Sequence, residues 1–452
     1  MNLKRGSLRY NFIMNTLLQG SAWLIPFAIR PYVSRILLPD GMGHVGFAIS
    51  QLYYFILIAT LGIPTYGIRE CARVREDPET LRRTVREILC INLVMGAVAY
   101  ALYFGYVFGV AGAEYRTLLL VISPAILLNV INVDWFYKGL EDFRTIAFRN
   151  VVVRLCAAIA ILLMVKGANQ RPLYGFLSIL SSYGAGLWNL LGATRTLKRV
   201  QEEAAAREAA AAEKGSVQKA SASQEKRAAA RKRKAQEAGV KRHLRPILVF
   251  LGMSIATAIY TQLDVVMLGF LQNDIVVGIY DAAAAVKVLL VAAVTALGAV
   301  LLPRVSALLS KGQRSEFLRL SRKAILYVAA FGLVLMAGTI LCRNGIILVM
   351  SGRDFAAAGE VLLLLAMTIP LIGYTNIVGM QMLVPLGREK AVLASEIAGA
   401  VTDFVLNLIL IPGYGAAGAA LATVLAECVV ALWQTFCCRG ELKEAFAAGK
   451  SA

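Results

Sequence analysis

Residues 88–110 read ILCINLVMGAVAYALYFGYVFGV, a stretch of 23 residues without one charged side chain. A bilayer core about 30 Å thick is crossed by roughly 20 apolar residues of α-helix. This stretch is therefore long enough to span, and too uniformly apolar for a helix with one face in water. Arg82, Arg83 and Arg86 stand just before it, whereas the first cation after it is Arg116. Working outward, comparable runs occur at 12–33, 45–67, 117–137, 146–165, 172–194, 247–271, 275–302, 324–341, 361–385, 391–411 and 416–438. The expected fold is all-α: a polytopic membrane protein of about twelve transmembrane helices. Composition agrees, with 58% hydrophobic and 17% charged residues and a mean hydropathy of +0.65, more apolar surface than one water-surrounded core can hide.

The net charge of +19 invites a nucleic-acid reading, but its placement argues for a membrane instead. Counted by alternate loops, with Arg149 taken with the loop before the fifth run and Arg35 with the first helix, 38 of the 47 Lys and Arg fall on one side, and only Arg116, Lys166, Arg171, Arg343 and Arg353 on the other. That asymmetry is the positive-inside pattern, and it places both termini in the cytoplasm of a protein in the cytoplasmic membrane. The first run is long enough to remain as a helix and carries Pro26, Arg30 and Pro31 rather than a small-residue cleavage site, so no cleavable signal is expected. The seven cysteines show no metal spacing, and the two histidines, His44 and His243, fall on opposite sides, so neither a metal site nor a catalytic triad is expected.

Between the sixth and seventh runs lies 201–240, rich in Ala, Lys, Arg and Glu, with the tetrad Arg231-Lys-Arg-Lys234. It reads as a solvated linker, or as a polybasic contact to anionic lipid. The expected division is an N-terminal six-helix lobe over 1–200, a basic cytoplasmic linker over 201–245, a C-terminal six-helix lobe over 246–438 and a tail over 439–452. Two local matches favour a repeat. Leu61-Gly62 leads to Arg69 as Leu297-Gly298 leads to Arg304, and Gly139-Leu-Glu141 closes the fourth run as Gly387-Arg-Glu389 closes the tenth.

The stretch Arg30-Pro-Tyr-Val-Ser-Arg-Ile-Leu-Leu-Pro-Asp-Gly-Met-Gly43 is followed by Gly46-Phe-Ala-Ile-Ser50 and Leu61-Gly-Ile-Pro-Thr-Tyr-Gly-Ile-Arg-Glu70. With Asp134-Trp-Phe-Tyr-Lys-Gly-Leu-Glu141, Asp264-Val-Val-Met-Leu-Gly269, Val277-Gly-Ile-Tyr-Asp-Ala-Ala283, Pro385-Leu-Gly-Arg-Glu-Lys390 and Asn407-Leu-Ile-Leu-Ile-Pro-Gly-Tyr-Gly-Ala-Ala-Gly-Ala419, it resembles the polysaccharide transporter family. These are O-antigen and capsule repeat-unit flippases (Wzx-like) of the MOP superfamily, alongside MATE exporters and lipid II flippases. The matches run through the chain in family order. The chain departs from the family in the length of 201–240 and in lacking an acidic residue in Asn169-Gln-Arg-Pro-Leu-Tyr174. The resemblance implies two V-shaped lobes, and a polyprenyl-pyrophosphate-linked glycan as substrate.

Charges inside spans are costly at mid-bilayer and normally face a water-filled cavity or a partner. They are Arg30, Arg35, Asp134, Arg154, Asp264, Asp281, Lys287, Glu396, Asp403 and Glu427. A diphosphate needs cations in place of its water, and the planar guanidinium binds phosphate oxygens bidentately; Arg30, Arg35, Arg154 and Lys287 are the candidates. Arg35 and Arg154 are equally readable as snorkelling or carboxylate-paired side chains. Asp403 and Asn407, four apart, share a helix face. With Asp264 and Thr423 they form a candidate ion-coupling site for Na+ or H+, or a structural hydrogen-bond network between helices. The resemblance implies acidic, amide and hydroxyl ligands on these helices.

The expected activity is translocation of an undecaprenyl-pyrophosphate-linked oligosaccharide by alternating access, in contact with membrane lipids and other polysaccharide-assembly proteins, without a cofactor. A MATE-like cation-coupled exporter would carry an acidic cavity instead, and a lipid II-type flippase shares the fold. A membrane glycosyltransferase or polymerase would be expected to show a long outer loop, and the outer loops here are short. No nucleotide-binding motif is present.

Overall fold

The computed structural model describes residues 8–213, 239 and 241–447; most of the basic linker lies outside them. The described chain is almost wholly helical. In order the helices are α1 (Leu8–Thr60), α2 (Ile63–Val74), α3 (Pro78–Gly109), α4 (Ala113–Ile122), α5 (Pro124–Val130), α6 (Asp134–Gly139), α7 (Phe143–Met164), α8 (Arg171–Tyr183) and α9 (Ala185–Glu213). Then follow α10 (Lys241–Leu271), α11 (Asp274–Ser310), α12 (Arg314–Met350), α13 (Ala358–Ala366), α14 (Thr368–Thr375), a π-helical stretch (Asn376–Leu383), α15 (Glu389–Cys437) and α16 (Arg439–Ala447).

Each of the twelve apolar runs lies in helix, but helices and runs do not correspond one to one. α1 holds the first run and most of the second, separated by a break at Leu38 (φ 62°, ψ 173°). α15 holds the last two, broken at Gly415 (φ 52°, ψ −129°). The fourth run is instead divided among α4, α5 and α6, with Pro124 opening α5. Pro39 follows Leu38 and disfavours helical backbone at the residue before it; glycine enters the left-handed region of Gly415 without steric cost.

Helix starts are set by local chemistry. The Asp77 carboxylate accepts from the backbone N–H of Glu79 and Thr80, both at 3.2 Å, with Pro78 as the first residue of α3. Asp142 caps α7 through the Thr145 N–H at 3.2 Å, and Asn273 caps α11 through the Val276 N–H at 3.1 Å. Large apolar side chains such as Leu93, Val94 and Leu102 on α3 and Val334 and Leu341 on α12 point outward. In lipid such residues need no cover, which is why the outer surface stays apolar.

The chain divides into two compact units. The first comprises Met1–Pro26, Gln51–Val165 and Pro172–Ile255. Its core packs Ile63, Tyr66 and Cys71 of α2 against Trp135, Phe136 and Tyr137 of α6 and Leu81, Val85 and Ile88 of α3. The second comprises Phe27–Ser50, Lys166–Arg171 and Ala256–Ala452. Its core gathers Val294 on α11, Phe317, Ile325 and Val328 on α12, and Ile369 and Ile377 around the π-helical stretch.

Candidate functional site

The second unit holds the densest buried chemistry. α11 crosses the start of the second limb of α1 at backbone contact. A side chain at Gly43 would run into the Asp274 carbonyl, and one at Gly278 into that of Pro39. Gly269 on α10 likewise lies under the Phe47 ring. These glycines belong to the motifs quoted above, and close approach accounts for them. The crossing is pinned by His44, whose Nδ1 lies 2.7 Å from Asp274, and beside it Arg171 at the start of α8 donates to Asp40.

One helical turn in from this crossing, Arg30 of α1 donates to Asp281 of α11 at 2.6 Å. The Arg30 Nε is buried and bonds no described group. The neighbouring residue Tyr280 turns about 100° around α11 into a second cluster, where its hydroxyl donates to Asp264 Oδ2. The Thr423 hydroxyl lies 3.0 Å from the same oxygen and 3.0 Å from the Ala419 carbonyl. The Asn407 amide donates to Asp264 Oδ1 at 2.8 Å and to Asp403 Oδ2 at 3.2 Å. Asp403 and Asn407 are buried, and their remaining oxygens, Asp403 Oδ1 and Asn407 Oδ1, accept from no described group.

The structure thus brings Asp264, Asp403, Asn407 and Thr423 together. Two charged carboxyl groups joined by one amide, the Asp403 one buried, repel, and a proton or a small cation relieves that repulsion. The donor set is oxygen alone, which suits a hard ion. Among the described residues no three His, Cys, Asp or Glu side chains converge as a multivalent metal site would need.

The four candidate cations are divided between the two units. Arg30 and Lys287 belong to the second unit. Arg35 is exposed and donates to the carbonyls of Leu348 and Val349 at 3.1 and 2.9 Å, capping the C-terminus of α12. Arg154 lies in the first unit and donates to the Leu18 carbonyl at 2.8 Å and the Ser21 hydroxyl at 2.6 Å. Asp134 is also in the first unit, where Asn189 donates to it at 2.6 Å. Glu396 is exposed, whereas Glu427 is buried.

Sequence reasoning passed over Tyr280 as a site residue, although it lies in the quoted Val277–Ala283 motif and one residue from Asp281. It also passed over the pairing of His243, the second histidine, in the first unit. His243 Nδ1 lies 2.6 Å from the Tyr66 hydroxyl and its Nε2 2.9 Å from Glu87, which Arg83 and Arg242 also bond at 2.8 Å each.

Residues 8–309 match a family described as polysaccharide biosynthesis protein. A Shigella dysenteriae protein named "Putative O-antigen transporter" is 23% identical over 94% of this chain and 98% of its own. Among solved structures, the lipid II flippase MurJ in an inward closed conformation superposes with a TM-score of 0.61 at 15% identity, covering 94% of this chain and 90% of its own. An inward-facing multidrug resistance MATE transporter of the MOP superfamily gives 0.62 at 14% identity, covering 95% and 96%. The fold is that shared by these transporters.

Proposed function

The chain belongs to the polysaccharide biosynthesis protein family, and we propose that it is a flippase carrying a polyprenyl-pyrophosphate-linked oligosaccharide repeat unit across the cytoplasmic membrane by cation-coupled alternating access. The observation that carries this reading is the end-to-end likeness to the Shigella dysenteriae relative, which leaves no large part of either chain unmatched. The fold alone would suit an exporter of small cations equally well.

The chemistry of the second unit supports a two-part site. Arg30 meets the glycan carrier: its fork is neutralised by Asp281 at rest, and a diphosphate offers more charge and more oxygen atoms than one carboxylate. Lys287 adds a second positive charge on α11. The cluster around Asp264 and Asp403 takes the driving ion, sodium or a proton. Because Tyr280 and Asp281 are adjacent, a shift of α11 that breaks Arg30 from Asp281 also moves the Tyr280 hydroxyl off Asp264. An ion drives the cycle only if it binds one access state better than the other, and this shared helix supplies such a link. The scheme moves its substrate without transforming it, so in this reading the protein acts as a transporter and not an enzyme. Both termini face the cytoplasm, and polysaccharide-assembly enzymes supply and consume the carried lipid.

A deletion strain tests the reading. Lipid-linked repeat units should accumulate on the cytoplasmic side and surface polysaccharide should be lost, with both reversed by the wild-type gene. Unchanged surface polysaccharide without accumulation would refute it.

A further inference from the structure

The turn at Gly415 folds α15 back on itself, so residues equally far from it along the chain face one another. Asn407 and Thr423 both bond Asp264. Asp403 and Glu427, equally far from the turn, are both buried. Further from the turn, the Gln434 amide donates to the Ser395 hydroxyl oxygen at 3.1 Å. On the first limb Ser395, Gly399, Asp403 and Asn407 recur at every fourth residue and form one buried stripe. On the second limb Thr423, Glu427, Ala431 and Gln434 answer it, the last three buried. The seam is therefore polar from the carboxyl cluster to less than two turns from Glu389, interrupted only by two small residues, Gly399 and Ala431.

The Gln434 side chain is 3% exposed and its orientation is determined. Ser395 gives its own hydrogen to the Val392 carbonyl at 2.7 Å, so toward Gln434 it can only accept. The amide nitrogen must then face Ser395 and the carbonyl oxygen must face away, where it accepts from no described group. Asn407 is oriented by the same logic, because both of its nitrogen's partners are carboxylates. Three acceptor oxygens, on Asn407, Asp403 and Gln434, thus lie bare along one buried seam. Leaving such a group unmet is costly, and an apolar side chain of similar size would avoid it. Gly379, in the π-helical stretch, packs directly against the Gln434 amide, since a Cβ there would stand 3.0 Å from both amide heavy atoms.

We propose that this seam is the route by which the coupling cation, sodium or a water-borne proton, exchanges between the Glu389 end of the unit and the Asp264–Asp403–Asn407 cluster. Gln434 supplies the intermediate oxygen and Glu427 the carboxylate at the inner end. The inference rests on the cation-coupled reading, and its test separates the two. Full-length protein is reconstituted into liposomes, with radioactive sodium and a pH-indicator dye as parallel probes of uptake and release. Gln434→Leu should hold equilibrium cation binding within twofold of wild type while slowing exchange at least tenfold, and Ser395→Ala should slow it about threefold. Ser395→Ala removes a single oxygen and carries the test if Gln434→Leu fails to melt cooperatively. Asp403→Asn should abolish binding itself. Loss of binding in Asp403→Asn with wild-type exchange in the folded seam variants would overturn the route and leave the coupling reading standing. Wild-type binding in Asp403→Asn, or no uptake of either ion by the wild type, would remove both.

Discussion

Arg30 brings a cation into a span that is otherwise almost uncharged, and Asp281 holds it ready at 2.6 Å. A charge-assisted contact to substrate is worth about 1.5–3 kcal/mol, so Arg30→Ala should lower glycan export tenfold to a hundredfold at unchanged protein level. Arg30→Lys should restore only part of it, because the ammonium lacks the bidentate fork; export assayed in a complemented deletion strain decides this, and full activity of the Ala variant would make the charge idle. Leu38 poses a different residue-level question. Its backbone, at φ 62° and ψ 173°, occupies a region used almost only by glycine, at a cost of order 1–3 kcal/mol. Leu38→Gly relieves that strain but adds about 0.5–1 kcal/mol of chain entropy, so the detergent melting midpoint should rise by about 1–3 °C. A fall would show that the turn is not strained.

At the scale of elements, α10 begins with His243 sealed against α2 and α3 by Tyr66 and Glu87. Burial pushes the imidazole below its ordinary value near 6.5, and the Glu87 hydrogen bond offsets that only in part. A histidine whose folded value is depressed binds protons more readily when unfolded. Stability is therefore full above about pH 6.5 and falls as pH drops through the window down to the folded value. Melting scanned from pH 7.5 to 5.5 should show that fall, and His243→Gln should flatten it; a parallel slope in the variant would assign the effect elsewhere. The elements also show what can be read from residues alone. Long apolar runs with at most two charges each located the spans, because lipid tolerates few charges whatever the packing. The break at Leu38 and the division of the fourth run into three helices were not legible, since they depend on close packing as much as on local preference. The cluster of Asp264, Asp403, Asn407 and Thr423 was legible because buried acids and amides need partners. Arg35 was not: its acceptors are backbone carbonyls, which leave no mark in a sequence. Arg154 was grouped with Arg30 by sign of charge, and only the three-dimensional structure shows that they belong to different units.

For the whole molecule, the count of 38 cations against five carries the orientation. Reporter tags at position 220 and at the C-terminus should both be active in the cytoplasm, and a tag read outside at either place would refute the twelve-span map. Length matters on a longer timescale too. Because Gly415 joins two limbs with no loop to absorb slack, inserting or deleting one residue between Ser395 and Gly415, or between Gly415 and Gln434, turns everything beyond it by about 100° around its helix. Ser395, Gly399 and Asp403 would leave the seam together, or Glu427 and Gln434 would. The descent of this segment should therefore be written in substitutions alone, with gaps in related chains falling outside it.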